Sequence, residues 1–83
     1  MSRKSSRINA LSVAWALLVH EHQSLRGAAK AIGVGHAALI RRIGELEDVL
    51  GVSLFERSPT GVRVTNAGAR FFQRAGDALD QLD

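Results

Sequence analysis

The stretch GVGHAALIRRIGELEDVLG, residues 33–51, opens as a turn and continues as a helix. Leu39, Ile43, Leu46 and Leu50 recur at i, i+4, i+7 and i+11, the spacing of a stripe that packs on a core. The opposite face carries Ala37, Arg41 and Gly44, with Ile40 on its flank. A helix with one apolar face and a second face of small residues around an arginine is built to be approached closely on both sides. Gly51 ends it, because only a residue without Cβ turns left-handed cheaply.

Just upstream, LRGAAKAI predicts a short helix over 25–32, with Gly33 as its stop. The Ser24 hydroxyl has the chemistry of an N-cap, and Ala28 and Ala29 let another helix come close. Two helices joined by a tight Gly-containing turn are a helix-turn-helix. In that unit the N-terminal residues of the second helix meet base edges in the major groove. Arg41 can then offer its fork to a guanine or a phosphate, and Ile40 can touch a thymine methyl. Glu45 and Asp48 would be repelled by phosphates, so the N-terminal half of the helix inserts. The plainer alternative pairs Arg41 or Arg42 with Glu45 on a solvated face.

Further out, INALSVAWALLVHEH predicts a first helix over 8–22, with Ile8, Leu11, Trp15, Leu18 and Val19 at helical spacing. Residues 1–7, MSRKSSR, read as a flexible basic arm. Beyond Gly51 the period changes. Segments 53–57 and 62–65 alternate around Ser58-Pro59-Thr60-Gly61, which is turn chemistry, and predict a hairpin. Thr65 can cap a last helix over 66–82. The fold class is mainly α with a small β-hairpin: a winged helix-turn-helix over 8–65, then a helix over 66–83. The wing tip, Pro59, Thr60 and Gly61, with Arg57 and Arg63 at its base, can follow the backbone or reach the minor groove. Ser24, Arg26, Lys30 and Arg42 complete the expected backbone contacts, which position a protein without reading sequence.

Composition narrows the function classes. Hydrophobic residues make up 46% of the 83, so the chain folds rather than remaining a disordered tail. There is no cysteine, which excludes disulfides and thiolate metal sites. No apolar run is long enough to span a bilayer. The first 74 residues hold all eleven basic residues and five of the eight acids, whereas the last nine hold Asp77, Asp80 and Asp83. A basic body with an acidic end suggests a polyanionic partner for the body. His20 and His22 read as helix-end residues, and no acid/base pair, nucleophile or metal set is visible. No enzyme activity, cofactor or metal is expected.

The stretch SLRGAAKAIGVGHAALIRRIGELEDVLGVSLFERSPTGVRVTNAG resembles the DNA-binding domain of the LysR-type transcriptional regulators. Ser24, Ala28-Ala29, Val34, Ala38, Ile43, Leu46-Glu47, Gly51, LFER at 54–57, Gly61, Val64-Thr65 and Gly68 match in order without a gap. Arg41, Arg57 and Arg63 also fall on the family's positions. The resemblance implies a sequence-specific double-stranded DNA-binding domain of a bacterial regulator, in the cytoplasm with the nucleoid. Base readout would fall to His36, Ala37, Ile40 and Arg41. It also implies that the last helix is a linker through which two subunits pair. The spacing agrees: Gly68, Phe72, Ala75, Leu79 and Leu82 step 4, 3, 4, 3 as a coiled-coil seam, and Phe71 adds a second large apolar residue. The alternative is that this helix folds back on its own domain. The 83 residues do not include the effector-binding domain usual in the family, so no small-molecule ligand is expected of this chain.

Five departures accompany the match. Where the family usually has Ser-Gln-Pro-Ala and then a further Ser, this chain has Gly35-His36-Ala37-Ala38 and then Ile40. Gly caps nearly as well as Ser, His36 still hydrogen-bonds, but Ile40 cannot. The usual Phe of the first helix is Ala16, with Trp15 beside it to supply bulk. These departures motivate a second function class, a protein-interaction module that pairs with full-length relatives and antagonises them.

Overall fold

A computed structural model describes residues 8–59 and 61–80, the last two by backbone alone. The arm expected at 1–7, the wing-tip Thr60, the Leu79 side chain and Leu82 lie outside the described residues. The elements run α1 (Ala10–His22), α2 (Leu25–Ile32), α3 (His36–Leu50), β1 (Phe55–Ser58), β2 (Gly61–Val64) and α4 (Asn66–Asp80). The strands pair antiparallel, with Phe55 opposite Val64 and Ser58 opposite Gly61. This is a winged helix-turn-helix followed by a further helix.

The helix ends are set by specific caps. Ser24 Oγ accepts the Gly27 N–H at 2.9 Å, which starts α2 where the hydroxyl predicts. Gly33 and Gly51 are left-handed, with φ of 87° and 75°, and close α2 and α3. α1 starts two residues later than the apolar spacing suggests. Asn9 Oδ1 accepts the N–H groups of Leu11 at 2.8 Å and Ser12 at 3.3 Å, and so fixes the first turn there. At its other end Gln23 takes a left-handed φ of 54° and donates its N–H to the Val19 carbonyl.

The core gathers one stripe from each helix. Ala16, Val19, Ala28, Ala29, Leu39, Ile43, Leu46, Leu54 and Phe72 are buried together. Leu50, the last of the α3 stripe, is half-buried and packs against them. Ala28 and Ala29 let α2 lie close to its neighbours, as their size requires. Trp15, beside Ala16, is half-buried and packs against this core. One turn along α1, the His20 ring stacks on Phe72 of α4, with centroids 4.7 Å apart and planes 7° apart.

The hairpin is offset from the expected segments because its two ends are engaged elsewhere. Glu47 Oε2 accepts the N–H of Leu54 at 2.6 Å and of Phe55 at 3.3 Å, which holds residues 53 and 54 out of the strand. Thr65 leaves the ladder to cap α4: its Oγ1 accepts the Gly68 N–H at 2.9 Å and donates to the Ser53 carbonyl at 2.6 Å. The Thr65 N–H reaches the Leu54 carbonyl at 2.9 Å. α4 then crosses directly over Leu54. A Cβ at Gly68 would collide with that carbonyl and lie 2.8 Å from Val64 Cγ2.

Candidate nucleic-acid interface

The N-terminal half of α3 carries the open face that the sequence predicts. Leu39, Ile43 and Leu46 turn inward and are buried. His36, Ala37 and Arg41 are exposed, and Ile40 and Gly44 are half-exposed. Nothing lies within 4 Å of where a Cβ at Gly44 would sit, so that side of the helix is clear of the protein's own atoms. Gly35 caps the helix with no side-chain hydrogen bond. Further along, Glu45 and Asp48 are exposed, so the helix turns from cationic to anionic along its outer surface.

Arg26 and Lys30 are exposed on α2. The Ser24 oxygen is already engaged as the α2 cap. On the wing, Arg57 faces Val62 and Arg63 faces Glu56 across the ribbon. Successive residues of a strand point to opposite faces, so the two arginines lie on opposite sides of the wing rather than in one cluster. Pro59 is exposed at the tip. Gly61 has φ of 138°, and a Cβ there would come 3.1 Å from the Gln23 carbonyl oxygen, so the turn end of the wing at Gly61 sits against the end of α1.

Two expectations change. Arg42, expected among the phosphate contacts, turns instead toward α1. Its guanidinium carbon lies 4.8 Å from the Trp15 ring centroid, and Nη1 donates to Ser12 Oγ at 3.4 Å. The cation over the indole face and the buried Ser12 tie α3 to α1, a contact worth about 0.5–1 kcal/mol at a partly exposed site. Phe72, expected in a subunit interface, is 6% exposed and belongs to the domain's own core. Besides His20, it meets Phe55 at 5.5 Å and Phe71 edge-on at 5.4 Å. A small domain needs large apolar side chains of its own, and the first turns of α4 supply them. Of the remaining seam residues, Phe71 is half-buried and packed on the core, and Ala75 is half-buried.

Sequence reasoning did not find the roles of Glu47, His20 and Trp15. Each meets a partner distant in sequence, and the residue types alone carried no signal of it. The nearest hint was the Leu46-Glu47 pair at a fixed distance before LFER.

With this geometry in view, the family model described as "Bacterial regulatory helix-turn-helix protein, lysR family" matches residues 9–69. The chain is similar to the HTH-type transcriptional regulator TrpI of Pseudomonas aeruginosa, 39% identical over 82 residues. That match covers 99% of this chain and 27% of TrpI, so the chain spans about a quarter of that relative's length. Among solved structures, it is similar to the CbnR_DBD-DNA complex, with a TM-score of 0.83 and 31% identity over 90% of this chain and 86% of that one. It is also similar to the BenM_DBD/catB site 1 DNA complex, with a TM-score of 0.82 and 32% identity over 92% and 82% of the two chains.

Proposed function

The chain belongs to the lysR family of bacterial regulatory helix-turn-helix proteins, and on that premise we propose that it binds double-stranded DNA sequence-specifically as part of a transcription regulator. The observation that carries this reading is the face of α3 around Ala37, Arg41 and Gly44, exposed and free of any core duty. The N-terminal half of α3 enters the major groove and presents His36, Ala37, Ile40 and Arg41 to base edges. Arg26 and Lys30 from α2, with Arg57 and Arg63 from the two sides of the wing, hold phosphates. Glu45 and Asp48 keep the C-terminal half of α3 away from the backbone. The chain works in the cytoplasm at the nucleoid, and no helix among the described residues is long and apolar enough to cross a membrane.

Two copies pair through the part of α4 beyond Phe72, where Ala75 follows on the seam that the sequence spacing draws. A two-fold dimer is the commonest oligomer and matches a two-fold operator.

The test is a titration of duplex DNA at increasing salt. Phosphate contacts release counterions, so affinity should fall steeply, by roughly a thousandfold or more between 50 and 200 mM if six or more phosphates are held across the dimer. A flat response contradicts this reading. No binding even at the lowest salt would instead favour the interaction module, which pairs with relatives and needs no DNA.

A further inference from the structure

The open face of α3 is chemically uneven. Arg41 offers five N–H donors in a fixed fork. Around it the helix shows hydrocarbon. Ala37 is exposed one turn before. Ile40 is half-buried, yet it stands outside both the core and the side chains packed on it. Gly44, one turn after Ile40, leaves open space beside it. Residues 40 and 41 each lie three or four positions from both 37 and 44, so the four occupy one broad face. A branched apolar side chain, half-buried yet part of neither the core nor the layer packed on it, thus stands beside an arginine.

In the major groove the base edges offer donors, acceptors and one kind of hydrocarbon, the C5-methyl group of a pyrimidine. A polar base edge set against Ile40 loses water and gains no hydrogen bond, so such bases are disfavoured. Resting on the reading of α3 as the recognition helix, we propose that Ala37 and Ile40 form a contact surface for the C5-methyl of a pyrimidine neighbouring the guanine that Arg41 bonds. The chain therefore discriminates DNA by a base methyl group. Thymine and 5-methylcytosine both carry that group.

The test uses the 83-residue chain and a duplex it binds. Each thymine is replaced singly by deoxyuridine, which removes only the methyl. A loss of about fourfold, the value of burying one such group, is expected at one thymine per half-site. The Ile40→Ser variant, whose change lies outside the core, should bind the thymine and deoxyuridine duplexes equally. In a second arm, cytosine and 5-methylcytosine are compared at the same position. A gain with 5-methylcytosine supports the methyl surface with either base as its source. No gain, with the thymine effect retained, supports it with thymine as the source. If the unaltered chain binds every deoxyuridine duplex as well as its thymine counterpart, the proposal is overturned. If no duplex is bound at low salt, the DNA reading itself fails.

Discussion

Arg41 and Arg42 are neighbours in the chain with different surroundings. Arg41 is exposed on the open face, whereas Arg42 lies over Trp15 and reaches Ser12. Local spacing offered Glu45 to both and could not tell them apart, because Trp15 and Ser12 sit on another helix. Their variants should differ in kind. Arg41→Ala should cost about 1–3 kcal/mol in DNA affinity and relax specificity at one base pair, read by binding to a set of single-base variants. Arg42→Ala should lower affinity by loosening α3 on α1, yet leave the salt slope of binding unchanged, because no phosphate contact is lost. A slope reduced by about one would return Arg42 to the phosphates. Glu47 is a third residue whose role lies in its partners. Its carboxylate accepts two backbone N–H groups at the start of the wing. Glu47→Ala leaves both unpaired and should destabilise the fold by about 1–3 kcal/mol in a denaturant melt.

At the scale of elements, the helix-turn-helix was legible because its punctuation is local. Ser24, Gly33 and Gly51 act within a turn of their own positions: α2 spans the 25–32 read from the sequence, and α3 stops at Leu50, just before Gly51. The hairpin was legible as an element but not in its limits. Thr65 belongs by residue type to a strand, and its hydroxyl is taken by Gly68 and Ser53. α4 shows the more general reason. Periodicity tells which face of a helix is apolar, not what covers it. Gly68 and Phe72 fall on the seam expected to face a second subunit, and their own domain covers both. Phe72→Ala should therefore cost about 3–5 kcal/mol of folding stability, beyond any effect on pairing. Gly68→Ala should also destabilise the fold, since the new methyl has the backbone of Leu54 in its way. A thermal midpoint unchanged in either variant would show that α4 is an appendage rather than part of the core.

For the whole molecule, the sequence read by itself placed the basic residues on the body, and the structure distributes Arg26, Lys30, Arg41, Arg57 and Arg63 over the exposed parts of α2, α3 and the wing. Which of them act together was not legible. The strand register, set by Glu47 and Thr65 at a distance, decides that Arg57 and Arg63 lie on opposite sides of the wing. Pairing of two chains belongs to this scale too. With Phe72 committed inward, Ala75→Glu should shift the chain toward monomer in sedimentation while moving the thermal midpoint little. The measurement that bears most directly on function is a selection of random duplex DNA by the 83-residue chain at low and high salt. Enrichment of one motif, repeated with two-fold symmetry about one helical turn apart and lost at high salt, is expected of a dimer reading the major groove through α3. Failure to retain any duplex at low salt would contradict DNA binding by this chain.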